Sequence, residues 1–325
     1  MYRVIILLIA FSMTVYHPKV FSQNSELERL LKENENISAL SKYKDSEEVL
    51  KLKLKNLEYV NKSRTSHGLK PVKLDILASR VANMHCVEMV KYKYMGHWNK
   101  RGFKPYHRYA FAGGTDHVGE NLYMYRTTGE LSDDEESVLK HIKAGHNAFM
   151  AEVPPHDGHR KMILVPYHTH VGLGYSMSTH EFRYAEEFLD RYVSMEKVPR
   201  SVRRGGSIRL KGSVLDEYED YGPYAVAVYY EPKPPRRYNY KRQPGSYFDG
   251  SNSNFITIAP WKIKYDKENR SFDIRIRFKG ARPGYYYIML YVRNKVDSIP
   301  YVVRGSVSMN TRYAIPATSI VVRVK

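Results

Sequence analysis

Near residue 195 the hydrophobic period of this chain changes, and no single layer of secondary structure satisfies both halves. Upstream, Leu50, Leu54 and Leu57 recur at i, i+4 and i+7; downstream, Phe272, Ile274, Ile276 and Phe278 alternate with Asp273, Arg275, Arg277 and Lys279. The first spacing buries one stripe of a helix, the second one face of a strand. At 325 residues the chain also exceeds one typical domain. Two domains are therefore expected, over 46–195 and 196–325, behind a polar lead-in at 23–45 that is loose or weakly helical.

The first 22 residues have the pattern of a secretory signal peptide. Arg3 precedes an apolar run from Val4 to Val15, and Val20 and Ser22 stand where a peptidase could cut before Gln23. The run falls short of the roughly 20 residues that span a bilayer, and no later segment approaches that length. The expectation is a secreted protein, extracellular or periplasmic, with no transmembrane segment in its mature form. Cys86 is the only cysteine, so no intrachain disulfide can form. Its apolar neighbours Met84, Val87 and Met89 mark a buried structural thiol.

In the first domain three helices announce themselves. One starts at Ser46 or Asp45 and stops before Gly68; a second runs from about Asp75 to Tyr92; a third begins at the capping box Ser132-x-x-Glu135. Strand patterns cover 169–176 and 181–193. This mixture without regular βαβ alternation argues for an α/β layered domain and against a dinucleotide-binding sheet. In the second domain, candidate strands at 207–215, 224–230, 255–259, 272–278, 285–293, 301–307 and 319–325 are separated by Pro/Gly turns. They predict an all-β, immunoglobulin-like sandwich. The segment from Tyr229 to Tyr247 reads as a long loop.

Charge is unevenly placed. Residues 196–325 hold 25 Lys+Arg against 11 Asp+Glu, a net of +14 out of the total +18. Arg236, Arg237, Lys241 and Arg242, interleaved with Tyr238 and Tyr240, suit an acidic glycan or cell-wall polymer as partner. Nucleic acid is not expected as the partner of a secreted chain. Arg275 and Arg277 are read as the solvated face of a half-buried strand.

Ten of the 13 histidines lie between positions 97 and 180. Four acid and imidazole side chains stand in distinct phrases: His97 in Gly96-His97-Trp98, Glu120 in Gly119-Glu120-Asn121, Glu152 after Phe149, and His159 in Gly158-His159-Arg160. The order of Leu57-x-x-x-Asn61-x-x-Arg64-x-x-x-Gly68-Leu69-x-Pro71, Leu74-Asp75, Gly96-His97, Gly119-Glu120-Asn121-Leu122, Gly158-His159-Arg160-x-x-Ile163-Leu164 and Val171-Gly172-Leu173-Gly174 resembles the CAP superfamily (SCP/TAPS), bacterial type, over residues 50–193. The resemblance implies an α-β-α sandwich whose cleft carries two His and two Glu and holds a divalent cation such as zinc. Carried over, His97 and His159 are the metal ligands, with Glu120 and Glu152 as carboxylates beside them. Phe149 stands where the family often has Trp, and His156-Asp157 replaces its Ser-Pro before Gly158-His159.

Two functions follow from that arrangement. One is an extracellular binding or wall-associated protein with the sandwich supplying attachment. The other is a metal-dependent peptidase or esterase in which Glu120, or else Glu152, acts as general base on a bound water. A hydrogen-bonded network of His97, Glu120 and His159 without metal is the competing arrangement. Asn121 and Arg160 are expected to fix loops by bonding backbone carbonyls or carboxylates.

Overall fold

A computed structural model of the protein describes residues 18–243, 245, 247, 254–294, 302–303, 306–307 and 314–325. In the first domain the order is α1 (Pro18–Asn36), α2 (Glu47–Ser66), β1 (Lys73–Leu74), α3 (Ile76–Tyr92), α4 (Pro105–Ala112), β2 (His117–Arg126), α5 (Glu135–Met150), α6 (Gly158–Ile163), β3 (His170–Met177) and β4 (Glu181–Asp190). The caps explain the boundaries. Ser46 accepts from Val49 N–H at the start of α2, and Asp75 from Ala78 N–H at the start of α3. Gly68, beyond α2, has φ +73°, a conformation that glycine adopts at no steric cost. The third helix starts later than its capping box suggests: Asp134, bonded to Ser137 N–H, is the cap, and Ser132 bonds Asp134 instead.

The four strands form one sheet in the order β1-β3-β4-β2, which leaves β2 at an edge. The faces of β4 alternate. Phe182, Tyr184 and Phe188 meet Leu50, Val60, Val138, Ile142 and Phe149 of α2 and α5. On the other face Ala185 and Leu122 pack with Ala82, Cys86 and Met89 of α3. Helices thus cover both faces, the expected α-β-α arrangement. The thiol of Cys86 is buried and pushed up by that burial, as befits a structural residue. The segment read as a loose lead-in is largely helical. In α1, Leu30 joins the α2/α5 core, and the buried Arg80 guanidinium binds the Asn34 side chain at 2.9 Å and the carbonyls of Ile37 and Ala39, both at 2.7 Å. The expected signal sequence falls, through residue 17, outside the described residues.

The second domain contains β5 (Val193–Met195), β6 (Ser201–Val202), β7 (Ser207–Val214), β8 (Tyr221–Glu231), β9 (Asn254–Ile258), β10 (Lys264–Asp266), β11 (Ser271–Arg277), β12 (Gly284–Asn294), β13 (Val302–Val303), β14 (Ser306–Val307), β15 (Ile315–Pro316) and β16 (Ile320–Val324). Because β5 already pairs with β7, the β-rich part begins at Val193, ahead of the expected boundary. One sheet runs β10-β11-β7-β5 and the other β6-β16-β12-β8-β9, with β15 added beside β12. They share one core: Leu210, Ile274 and Ile276 from the first, Val226, Ile288, Leu290 and Val322 from the second. Arg275 and Arg277 are exposed, as their strand pattern requires.

The outer face of the second sheet does not meet solvent alone. Ala225, Ala227, Tyr287, Met289 and Val321 pack against Ala78, Val81, Tyr106, Tyr109, Val118 and Leu189 of the first domain. Tyr106 and Tyr287 stack with ring centroids 4.1 Å apart. Among the described residues no helix is long and apolar enough to cross a membrane.

Candidate functional site

Edge strand β2 organises the site, because its alternation sends neighbouring residues to opposite faces of the sheet. Glu120 is paired with Glu187 of β4 on the α3/α4 face; Asn121 is paired with Glu186 on the α2/α5 face. Two imidazole–carboxylate pairs are arranged about this strand.

On the first face, His97 Nδ1 lies 2.8 Å from Glu120 Oε1. Arg108, from α4, binds the other oxygen of Glu120, stands 3.4 Å from Glu187 Oε1, and also donates to the carbonyl of His97, at 2.5 Å. This cluster is buried, so its charges compensate one another, although Arg108 Nε and the second oxygen of Glu187 have no hydrogen-bond partner among the described residues. Burial and the neighbouring Glu120 push Glu187 well above the usual carboxylate range. Burial pushes Glu120 up to about 7 against the opposing pull of Arg108. His97 is held down at about 3 by burial, then by Arg108 and His159, so its ring is neutral at pH 7. The influence of His159 makes the two imidazoles electrostatic neighbours.

In the second pair, His159 Nδ1 lies 2.5 Å from Glu152 Oε1. The second oxygen of Glu152 accepts from the backbone N–H of His159 at 2.9 Å and of Arg160 at 3.3 Å. Phe149 stacks on the His159 ring at 4.8 Å. Asn121 Nδ2 donates to the carbonyl of His159 at 3.1 Å and to Glu186 Oε2 at 3.2 Å, so it fixes a loop, as anticipated. Arg64 at the end of α2 reaches the carbonyls of Ile163, 2.6 Å, and Val165, 2.9 Å, and anchors the end of α6.

All four expected residues therefore fall in two pairs about one strand. Sequence reasoning missed Arg108 and Glu187, the charge partners of Glu120. One signal was legible: Glu186-Glu187 interrupts the run Phe182-Arg183-Tyr184-Ala185…Phe188-Leu189, and acids inside a fully buried strand need partners. Among the described residues no cluster of three or more His, Cys, Asp or Glu side chains meets the geometry of a metal site. The Nδ1 atoms of His97 and His159 are both taken by carboxylates, which leaves each Nε2 as the atom able to ligate. A metal-ligating histidine usually bonds a carboxylate or carbonyl through its other ring nitrogen, and each of these rings, taken singly, has that form.

Comparison with known proteins finds its matches in the first domain. The model of the cysteine-rich secretory protein (CAP) family matches residues 57–189, so that this stretch of the chain is similar to a CAP domain. The uncharacterized protein YkwD of Bacillus subtilis (strain 168) is 29% identical over 122 residues, covering 37% of this chain and 41% of that protein. The chain thus spans less than half of that relative. Among solved structures, an extracellular SCP-domain protein from Bacillus anthracis str. Ames aligns over 42% of this chain and 40% of its own, with 19% identity and TM-score 0.33. An outer surface protein from Borrelia burgdorferi aligns over 43% of this chain and 93% of its own, with 14% identity and TM-score 0.34.

Proposed function

We propose that the protein is an extracellular CAP-domain binding protein whose cleft takes a divalent cation, zinc in the first instance, through Nε2 of His97 and His159. The observation that carries this reading is the pairing of both rings through Nδ1, to Glu120 and to Glu152, which fixes their tautomers and leaves the Nε2 lone pair of each ring for a ligand. Such a cation would supply a charged anchor for an anionic or carbonyl-bearing ligand. His97 and His159 hold it, and Glu120 and Glu152 orient them. Calorimetric titration of zinc into the wild type and into a His97→Ala, His159→Ala double variant tests the proposal. Heat in the wild type that vanishes in the double variant is expected; equal heats would reject the site.

Binding is favoured over hydrolysis by the state of Glu120. Both of its oxygens are engaged, one by His97 and one by Arg108, so neither is open to take a proton from a water. Incubation with mixed peptides, with and without chelator, is expected to give no chelator-sensitive cleavage; cleavage that chelator abolishes would restore the hydrolase reading.

Attachment to an acidic wall polymer or glycan is supported by Arg236, Arg237, Lys241 and Arg242. All four are exposed and none forms an ion pair with another described residue. Selective retention on one acidic polymer at about 0.15 M salt would support a specific contact; elution at modest salt from every anionic matrix would mean charge alone.

A further inference from the structure

After β8 the chain leaves the second domain and runs back over the first as a strap. At its root, Glu231 accepts from Lys104 Nζ at 3.1 Å and from the Tyr106 hydroxyl, and His107 Nε2 lies 2.9 Å from its second oxygen. Next, Pro234 and Tyr238 lie against Gly102, φ +77°, where a Cβ would come within 2.8 Å of Pro234 Cβ. Tyr240 sets its ring edge-on to Tyr94 at 5.2 Å.

Gln243 then acts like a strand neighbour. Its Oε1 accepts from Trp98 N–H at 2.8 Å, and its Nε2 donates to Trp98 O at 2.7 Å and to Tyr240 O at 2.8 Å. The amide passes so close over Gly96 that a Cβ there would meet Oε1 at 2.3 Å. Finally, the Tyr247 hydroxyl accepts from Glu120 N–H at 2.8 Å, and its ring lies 4.7 Å from the His97 ring. Both residues that flank His97, and the backbone of its carboxylate partner, are thus gripped by a loop of the other domain.

We propose that Gln243 and Tyr247 are positioning residues for the His97–Glu120 pair, so that the cleft is completed by the second domain and is not a property of the CAP domain alone. The amide fixes the backbone on both sides of Trp98, next to His97. The phenol ring limits the rotation of His97, and its hydroxyl ties down β2 at Glu120. His159 and Glu152 have no such contact with the described part of the strap and provide an internal reference. The inference rests on the cleft reading for its consequence but not for its geometry.

The test uses the full chain at pH 8 without added metal, with histidine ring nitrogens observed by ¹⁵N NMR and His97 assigned by its Ala variant. In the wild type His97 is expected as a single tautomer with the proton on Nδ1. In Gln243→Ala and in Tyr247→Ala its ring nitrogens should move toward tautomer-averaged shifts, while those of His159 stay in place. Tyr247→Phe, which keeps the ring, should move chiefly the Glu120 amide. Zinc affinity in the two Ala variants should fall about 10-fold or more, the usual effect of losing a group that orients a ligand. Unchanged His97 nitrogens in both Ala variants would overturn the proposal. A wild type that takes no zinc while its His97 signals still respond would sink the cation reading and leave the strap standing.

Discussion

At the residue scale, the decisive fact is that Glu120 is a shared partner. It receives His97 on one oxygen and Arg108 on the other, inside a face from which water is excluded. Removing one charge of a buried pair leaves the other unpaired, and that costs about 3–5 kcal/mol. Glu120→Gln is therefore expected to destabilise the fold by about that amount in urea unfolding, through Arg108. His97→Ala, which leaves the Arg108 ion pair intact, should cost clearly less. Equal losses in the two variants would mean that the imidazole and not the guanidinium dominates the cluster. Arg108 could not be singled out beforehand, because its partners lie 12 and 79 residues away along the chain.

At the scale of elements, the packing of α3 on β3 depends on what is missing from two side chains. A Cβ on Gly172 would lie 2.3 Å from the carbonyl carbon of Ala78, and one on Gly174 would lie 2.5 Å from that of Ala82. The obstacle in both cases is helix backbone, which cannot rotate away. Overpacking of a close-packed core costs about 1–3 kcal/mol. Gly172→Ala and Gly174→Ala should each reach or pass the top of that range in thermal or urea unfolding, and a neutral effect would show that α3 shifts freely. The spacing of Gly172 and Gly174 was visible in the sequence as a phrase; its reason, a helix lying on the strand, was not. Helices α2 and α3 were legible nearly to the residue, since their caps are local. The strand β2 was not, because five of its ten residues are polar or glycine and its partners on β4 are about sixty residues away.

At the scale of the molecule, the junction between the domains combines a tyrosine-rich apolar face with one buried anion. Burial alone would raise Glu231, but His107, Lys104 and Tyr106 outweigh it and hold its carboxyl at about 2. With the folded value below an ordinary carboxylate, the unfolded chain binds the extra proton first as pH falls. The contribution of Glu231 is thus complete above pH ~4.5 and is lost between there and pH ~2, amounting to about 3 kcal/mol at one unit per 1.36 kcal/mol. Unfolding free energies of wild type and Glu231→Gln, measured from pH 6 to 3, should converge as the pH drops. Parallel curves would remove Glu231 from the account of the junction. Because the strap begins at this same residue, the junction and the cleft are mechanically continuous.

Sequence alone determined what depends on neighbours along the chain: the change of period near residue 195, the caps of α2 and α3, the inward face of β11, and the ordered phrases that mark a CAP domain. These rest on side-chain alternation and backbone bonding within a few residues. Tertiary structure decided what depends on which strands become neighbours. It placed His97 with Glu120 and His159 with Glu152 about one edge strand, and supplied Arg108 and Glu187 as charge partners. It also laid Gln243 and Tyr247 of the second domain over the cleft of the first. Charge pairs and close contacts act through a few ångströms of space, and only the folded chain brings residues from 7 to 145 positions apart within that distance.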